Sequence, residues 1–316
     1  MRQEMLYPDH SGAGQIYAQI FLPEKRPFRG ILQVVHGMND YGSRYAGLAD
    51  FLNAQGWVVA AADHFGHGKS LPPGASLGSL PEENGWLHLL EDVLSFRQQL
   101  RALYPDLPFF LMGHSMGSFL LRDLLSHFSD PCDGLILSGS GSYRPGLCSG
   151  GIFLLKLCAL FTGKHGRIPF IQKKMCSVYN HAFRREGHPF SWVSRDTAVC
   201  ELHLTDPCCS YLPDLDFYGE LLRGIRRVEQ AERKGSPARD IPILLLSGRE
   251  DAVGGHGRGV SRVYRRFFER GWPVEMLLYP GGRHEMLHEP NREEVYQDIL
   301  DWLNGILQEK QKENEA

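Results

Sequence analysis

Gly113-His114-Ser115-Met116-Gly117 sets one hydroxyl between two glycines, where an apolar run, PFFLMGHS, gives way to a helical pattern, MGSFLLRDLLSHFS. A serine on so sharp a strand-to-helix turn holds a strained backbone, and side chains two residues to either side would collide. Glycine at both positions removes the collision. The turn lifts the hydroxyl clear of the sheet, and the N–H groups at the start of the next helix converge on the same spot. The pattern points to a nucleophile. Its rival reading is a plain turn, because G-x-S-x-G also arises by chance.

A serine hydroxyl attacks only when a base takes its proton and a third group fixes that base. Open α/β sheets gather such groups at the carboxyl ends of their strands. IPILLLSGRED leaves a strand at Glu250 and Asp251, and PVEMLLYPGGRH places His284 just past the next strand. We read Asp251 as the acid and His284 as the base, giving the chain order Ser115, Asp251, His284. Glu250 is the rival acid and His288 the rival base. Acyl transfer also needs N–H donors for a developing oxyanion. Met116 follows the serine directly and offers one. Met38, in the loop after GILQVVHG, is placed to offer the second, with His36 and Gly37 leading into that loop. Gly113, His114 and Gly117 then support the serine, and His64 and His67 are read as loop residues with structural hydrogen bonds.

The elements that must position these groups are legible along the chain. Strands are expected at 14–23, 30–37, 57–64, 108–115, 134–141, 241–248 and 273–280. Helices are expected at 43–56, 81–105, 116–129, 218–235, 259–271 and from Arg292 onward. The alternation calls for an α/β fold with a mostly parallel sheet and helices on both faces. It breaks from about 142 to 238, a stretch with no clean strand that ends in a linker, SPARD. Residues 1–141 and 239–316 are therefore expected to form one sheet domain, interrupted by an insertion over 142–238.

Composition narrows the function. With 316 residues, 42% hydrophobic and 22% charged, the chain has the make-up of a globular protein with a real core. A net charge of -3 gives no electrostatic case for nucleic acid. Seven cysteines without repeated CxxC spacing imply neither a disulfide framework nor a zinc site, and GGHGRGV lacks the ending of a phosphate-binding loop. No metal and no cofactor are expected. The N-terminal MRQEMLYPDH has no signal-peptide pattern, and the greasy stretch at 150–161 is too short to span a bilayer, so a soluble, cytoplasmic protein is expected.

With these residues in hand, the sequence resembles the α/β-hydrolases of the monoacylglycerol lipase and bacterial lysophospholipase group, which is also filed with serine aminopeptidase-like hydrolases. HGMNDYGSRYAGLADFLNAQGW is similar to that group's oxyanion segment, ADHFGHGKS to its Asp-His-x-Gly-His-Gly element, and GHSMGS to its nucleophile turn. SGREDAVG and YPGGRHEMLHEPNREEV resemble its acid and base segments. At 40–41 the chain reads Asp-Tyr where the group commonly shows Glu-His. SWVSRDTAVCELHLTDPCC is nearer to the bacterial branch's cap. The resemblance implies an α/β-hydrolase fold with a mainly helical cap, and a cofactor-free serine esterase acting on a small-molecule lipid ester, a monoacylglycerol or lysophospholipid. It implies an apolar pocket that IFLLKLCALF, Phe170, Phe183, Phe190 and Trp192 could line, although for any single one burial in the cap's own small core is the first expectation. It also leaves the cap open to transient contact with membranes or micelles, with Lys156, Lys164 and Arg167 at headgroups or, as first expected, simply solvated. An aminopeptidase using Glu186 or Glu201 to catch an amine is the enzymatic rival. A non-catalytic binding protein on the same scaffold is the other.

Overall fold

The β-branched and aromatic runs pair into one sheet. In the computed structural model, which describes residues 1–81, 83–127, 132–234 and 241–315, the strands are β1 (Arg2–Pro8), β2 (Gln15–Phe21), β3 (Gly30–Val35), β4 (Trp57–Ala62), β5 (Phe109–His114), β6 (Gly134–Ser138), β7 (Ile243–Gly248) and β8 (Val274–Tyr279). Their order across the sheet is β1-β2-β4-β3-β5-β6-β7-β8, with β2 antiparallel to both of its neighbours and the remaining pairs parallel. Every residue of β3, β5, β6 and β7 is buried, as strands covered on both faces require.

The helices are α1 (Ala46–Ala54), α2 (Gly85–Leu103), α3 (Met116–His127), α4 (Pro145–Thr162), α5 (Pro169–Tyr179), α6 (Thr197–Thr205), α7 (Pro207–Ser210), α8 (Leu215–Lys234), α9 (Arg258–Phe268) and α10 (Arg292–Glu315). Leu89 and Phe96 of α2, Leu120 and Leu124 of α3, and Val260 and Val263 of α9 build the core on one face of the sheet. Leu48 and Leu52 of α1, with Val295, Ile299 and Leu303 of α10, build the core on the other. Helices α4 to α8 all lie between β6 and β7, so the break in alternation is a helical insertion. The linker at 236–240, and with it the expected boundary at 238, lies outside the described residues.

Two details differ from the sequence reading. It gave no strand at the N-terminus, yet Arg2–Pro8 pairs along the whole of β2. As an edge strand it buries few side chains, and so carries no apolar run. The helix expected from residue 81 starts at Gly85, with no acid in its first turn. The carboxylate that serves it comes from elsewhere: the Trp86 N–H donates to Glu220 of α8 at 2.8 Å.

The greasy stretch also differs in extent and setting. Helix α4 runs for 18 residues with a mean hydropathy of 1.5, long and apolar enough by those measures to cross a membrane. Only Cys148 and Ile152 on it are buried, while Leu147, Phe153, Leu154, Leu160 and Phe161 are exposed, Phe161 at 89%. Phe170 and Val178 of α5 are exposed as well.

Candidate active site

The carboxyl ends of β3, β5, β6, β7 and β8 meet under the insertion, and the loops that leave them form the site. Ser115 sits between β5 and α3 with φ at +50°, in the left-handed region that costs a side chain strain. The two glycines are needed for packing. A Cβ on Gly117 would stand 2.0 Å from the Val35 carbonyl oxygen, and one on Gly113 would stand 2.5 Å from the Gly117 carbonyl oxygen. The Ser115 N–H donates to the Ser138 carbonyl at 2.9 Å, which ties the turn to the next strand.

The His284 ring lies between Ser115 and Asp251. Its Nε2 is 3.0 Å from Ser115 Oγ, and its Nδ1 is 3.1 Å from Asp251 Oδ1. Asp251 is fully buried and also accepts from the Val253 N–H at 2.8 Å. Burial pushes the His284 imidazole down, but the Asp251 carboxylate outweighs it and the net shift is upward. Burial likewise pushes Asp251 up, and His284 more than reverses that. Each partner therefore favours the other's charged form. His114 packs on His284 with ring centroids 4.9 Å apart, and burial, then His284, push it down to about 3. It stays neutral. The rivals stand apart: Glu250 is exposed, and His288 is half-buried beside Tyr45.

Met38 and Met116 both line the cavity beside Ser115. The loop carrying Met38 is held from below by His36, which contacts the Gly37 carbonyl through Nδ1 at 2.8 Å and accepts the His64 N–H on Nε2 at 2.9 Å. Asn39 holds it from above, its amide donating to the Cys209 and Tyr211 carbonyls of the insertion at 3.0 and 2.7 Å. The Asp-Tyr departure at 40–41 fits here. Asp40 accepts from Tyr45 and from Arg44, each at 2.8 Å, and the Tyr41 hydroxyl donates to Asp206 at 2.8 Å. Arg44 also grips Glu285, the neighbour of His284, at 2.6 Å, and Glu285 meets His203 of α6 at 3.0 Å. Burial pushes Glu285 up, but Arg44 and then His203 hold it well below the usual carboxylate range.

The cavity measures about 90 Å³. From the insertion it is lined by Tyr143, Met175, Tyr179, Trp192, His203, Leu221 and Ile225. The lining expected from IFLLKLCALF, Phe170, Phe183 and Phe190 is not found. The first two are turned outward, while Phe183 and Phe190 pack with Trp192 and Val193 into a small core. Glu186 pairs with Arg283 and Glu201 is exposed beside His188, so neither faces the cavity. Gly139 escaped the sequence reading. It takes φ at +61°, and a Cβ there would stand 3.0 Å from the Cε1 atoms of both His114 and His284. Its only signal was the SGSG that ends β6.

A mostly parallel sheet of this order, with a serine on a strained strand-to-helix turn beneath a helical insertion, defines an α/β-hydrolase. The chain belongs to the family described as serine aminopeptidase, S33, which it matches over residues 26–291, and it is a serine hydrolase. A monoacylglycerol lipase of Mycolicibacterium smegmatis is 27% identical over 319 residues, covering 95% of this chain and 98% of that protein. Phospholipase YtpA of Bacillus subtilis is 22% identical, covering 84% and 92%. Among solved structures, a thermostable carboxyl esterase from Bacillus coagulans in complex with glycerol superposes with a TM-score of 0.86 at 30% identity, covering 96% of this chain and 98% of that one.

Proposed function

We propose that the protein hydrolyses single-chain lipid esters, monoacylglycerols or lysophospholipids, through Ser115, His284 and Asp251. The observation that carries this reading is the unbroken chain of contacts from Ser115 Oγ through His284 to Asp251, at 3.0 and 3.1 Å, under an apolar cavity. Ser115 attacks the ester carbonyl while His284 takes its proton, and Asp251 fixes the tautomer that leaves Nε2 free to accept. The N–H groups of Met38 and Met116 receive the oxyanion. His284 then gives the proton to the leaving alcohol, and water cleaves the acyl-enzyme by the same route in reverse. Lipid hydrolysis also matches the names of the two relatives. A peptidase would need an unpaired carboxylate for the substrate's amine, whereas Asp40 and Glu285, the acids lining the cavity beside Ser115, are both engaged by Arg44.

In this reading residues 142–238 are a cap, and the exposed apolar side chains of α4 and α5 rest on a membrane or micelle from which the substrate is drawn. The cavity is small, about 90 Å³, and in this reading the cap shifts to admit an acyl chain. A cytoplasmic location belongs to the same proposal. The test is fatty-acid release from monoacylglycerols, lysophospholipids, short nitrophenyl esters and aminoacyl amides by the wild type and by Ser115→Ala. Release from the single-chain lipids, lost in the variant, is the expected result. Turnover of amides alone would move the protein to the peptidase reading, and turnover unaffected by the substitution would sink the proposed nucleophile.

A further inference from the structure

One aromatic face in the site has no place in the mechanism so far. The Trp192 indole lies against the His284 imidazole, with ring centroids 5.3 Å apart and planes inclined at 35°. Trp192 lines the cavity and is only 9% exposed, and Tyr179 packs on it at 5.0 Å. Although Trp192 comes from the insertion, its segment is fastened to the loop that carries the base. The Glu285 N–H donates to the Val193 carbonyl at 2.9 Å. Arg283 donates to the Ser191 and Ser194 carbonyls at 2.5 and 3.2 Å, and the Ser194 hydroxyl donates to the His288 carbonyl at 3.2 Å. Arg195 grips Glu289 at 2.9 Å, and within the insertion the Trp192 backbone N–H donates to Asn180 at 3.0 Å. The segment of the indole is thus tied to the base loop, while the indole itself also touches the end of α5 through Tyr179.

An aromatic face within about 6 Å attracts a cation, Trp most strongly, and the attraction grows when water is excluded. At pH values above its own titration, His284 is a cation only while it holds the proton of Ser115, so there such an attraction acts in the transition state more than in the resting enzyme. We propose that Trp192 is a positioning residue that acts through His284, holding and stabilising the imidazolium by its indole face. This inference rests on the proposed role of His284 as the base. The other groups around that ring are accounted for. Asp251 faces it from the loop after β7, Asp40 from the loop after β3, and Glu285 from the next position. His114 comes from the end of β5, and Arg44 and His203 offset the charge of Glu285. Trp192 and Tyr179 bring no charge from the insertion.

The experiment compares the acid limb of kcat/KM on a short nitrophenyl ester for the wild type, Trp192→Leu and Trp192→Phe, with Ser115→Ala as the blank. Leucine keeps apolar cover and removes the ring. Loss of a face that stabilises the cation moves the midpoint of the limb to lower pH, by roughly half a unit to one and a half units. It also lowers kcat roughly two- to thirty-fold. Phenylalanine, with a weaker face, gives a smaller shift of the same sign. A Trp192 that merely shields the site predicts the reverse, because burial is the force that pushes His284 down and letting in water moves the midpoint up. An unchanged or raised midpoint in either variant overturns the inference, and Trp192→Phe decides alone should the leucine variant fail to fold. Full turnover by Ser115→Ala would instead overturn the triad on which the inference stands.

Discussion

Replacing Arg44 by methionine should expose the cost of the charge cluster beneath the site. The side chains of Arg44, Asp40 and Glu285 are each at most 5% exposed, so water screens none of them. Methionine fills much of the stem's volume and leaves Asp40 and Glu285 buried together, with His203 as the remaining direct side-chain partner of Glu285. Removing one member of a buried ion pair costs about 3–5 kcal/mol, because the charge left behind is uncompensated. Against a total stability of roughly 5–15 kcal/mol that is a large fraction. The variant's urea midpoint at neutral pH should therefore fall steeply.

The pH dependence separates this cause from a simple packing defect. In the wild type, burial pushes both carboxyls up, and Arg44 together with nearby histidines, His36 at Asp40 and His203 at Glu285, more than reverses it, so both titrate below their ordinary range. Their contribution is fully present above the unfolded values near 4 and is lost only as pH falls through the lower folded ones. Wild-type stability should thus change little between neutral and mildly acid buffer. In the variant, the nearby histidines oppose burial less strongly than Arg44 and they did together, and the folded values rise. Protonation in mild acid then relieves the buried charge, and the deficit shrinks as pH falls. A deficit below about 1 kcal/mol, or one equal at both pH values, would refute the reasoning.

Three further outcomes follow from the site. Gly117→Ala should destabilise by about 1–3 kcal/mol, although alanine is the better helix former, because its Cβ would press on the Val35 carbonyl; a raised melting temperature would contradict this. Gly139→Ala should cut kcat far more than it lowers the melting temperature, since its Cβ meets the His284 ring while φ is positive; unchanged kcat would show that the ring has room to spare. The acid limb of wild-type kcat/KM should lie above the ordinary imidazole value of 6.5, because the base must be neutral to accept and Asp251 outweighs burial in raising it. A limb below that value would mean that burial wins.

Most of the fold could be read in advance because strands buried on both faces must be continuously apolar, and ILLLSG or GILQVV have few other uses. Ser115 and Asp251 were legible for a related reason, since each closely follows such a strand, while His284 lies just beyond β8, a half-buried edge strand. What escaped notice depends on partners distant in sequence. β1 is an edge strand whose mate supplies most of its burial, and its own residues look like a polar leader. Helix α4 looked like the pocket wall, but apolar composition does not say which way a helix faces. Arg44 and Glu285 are 241 positions apart and meet only once the sheet has formed.

Glu285 is where three parts of the site come together. It follows the proposed base in sequence, takes Arg44 from the helical turn beyond the loop of Met38, and takes His203 from the insertion. Its backbone N–H holds Val193, next to the indole that covers His284. A buried carboxylate in this position is stable only with its partners in place, and each partner belongs to a different segment of the site. The insertion must therefore have two unlike regions. Residues 191–203 are bound into the charge network and share the rigidity of the sheet, whereas α4 and α5 keep few buried side chains and turn their apolar ones outward. Movement that admits a substrate is therefore expected at the outward faces of α4 and of the start of α5, away from Tyr179, which ends α5 against Trp192.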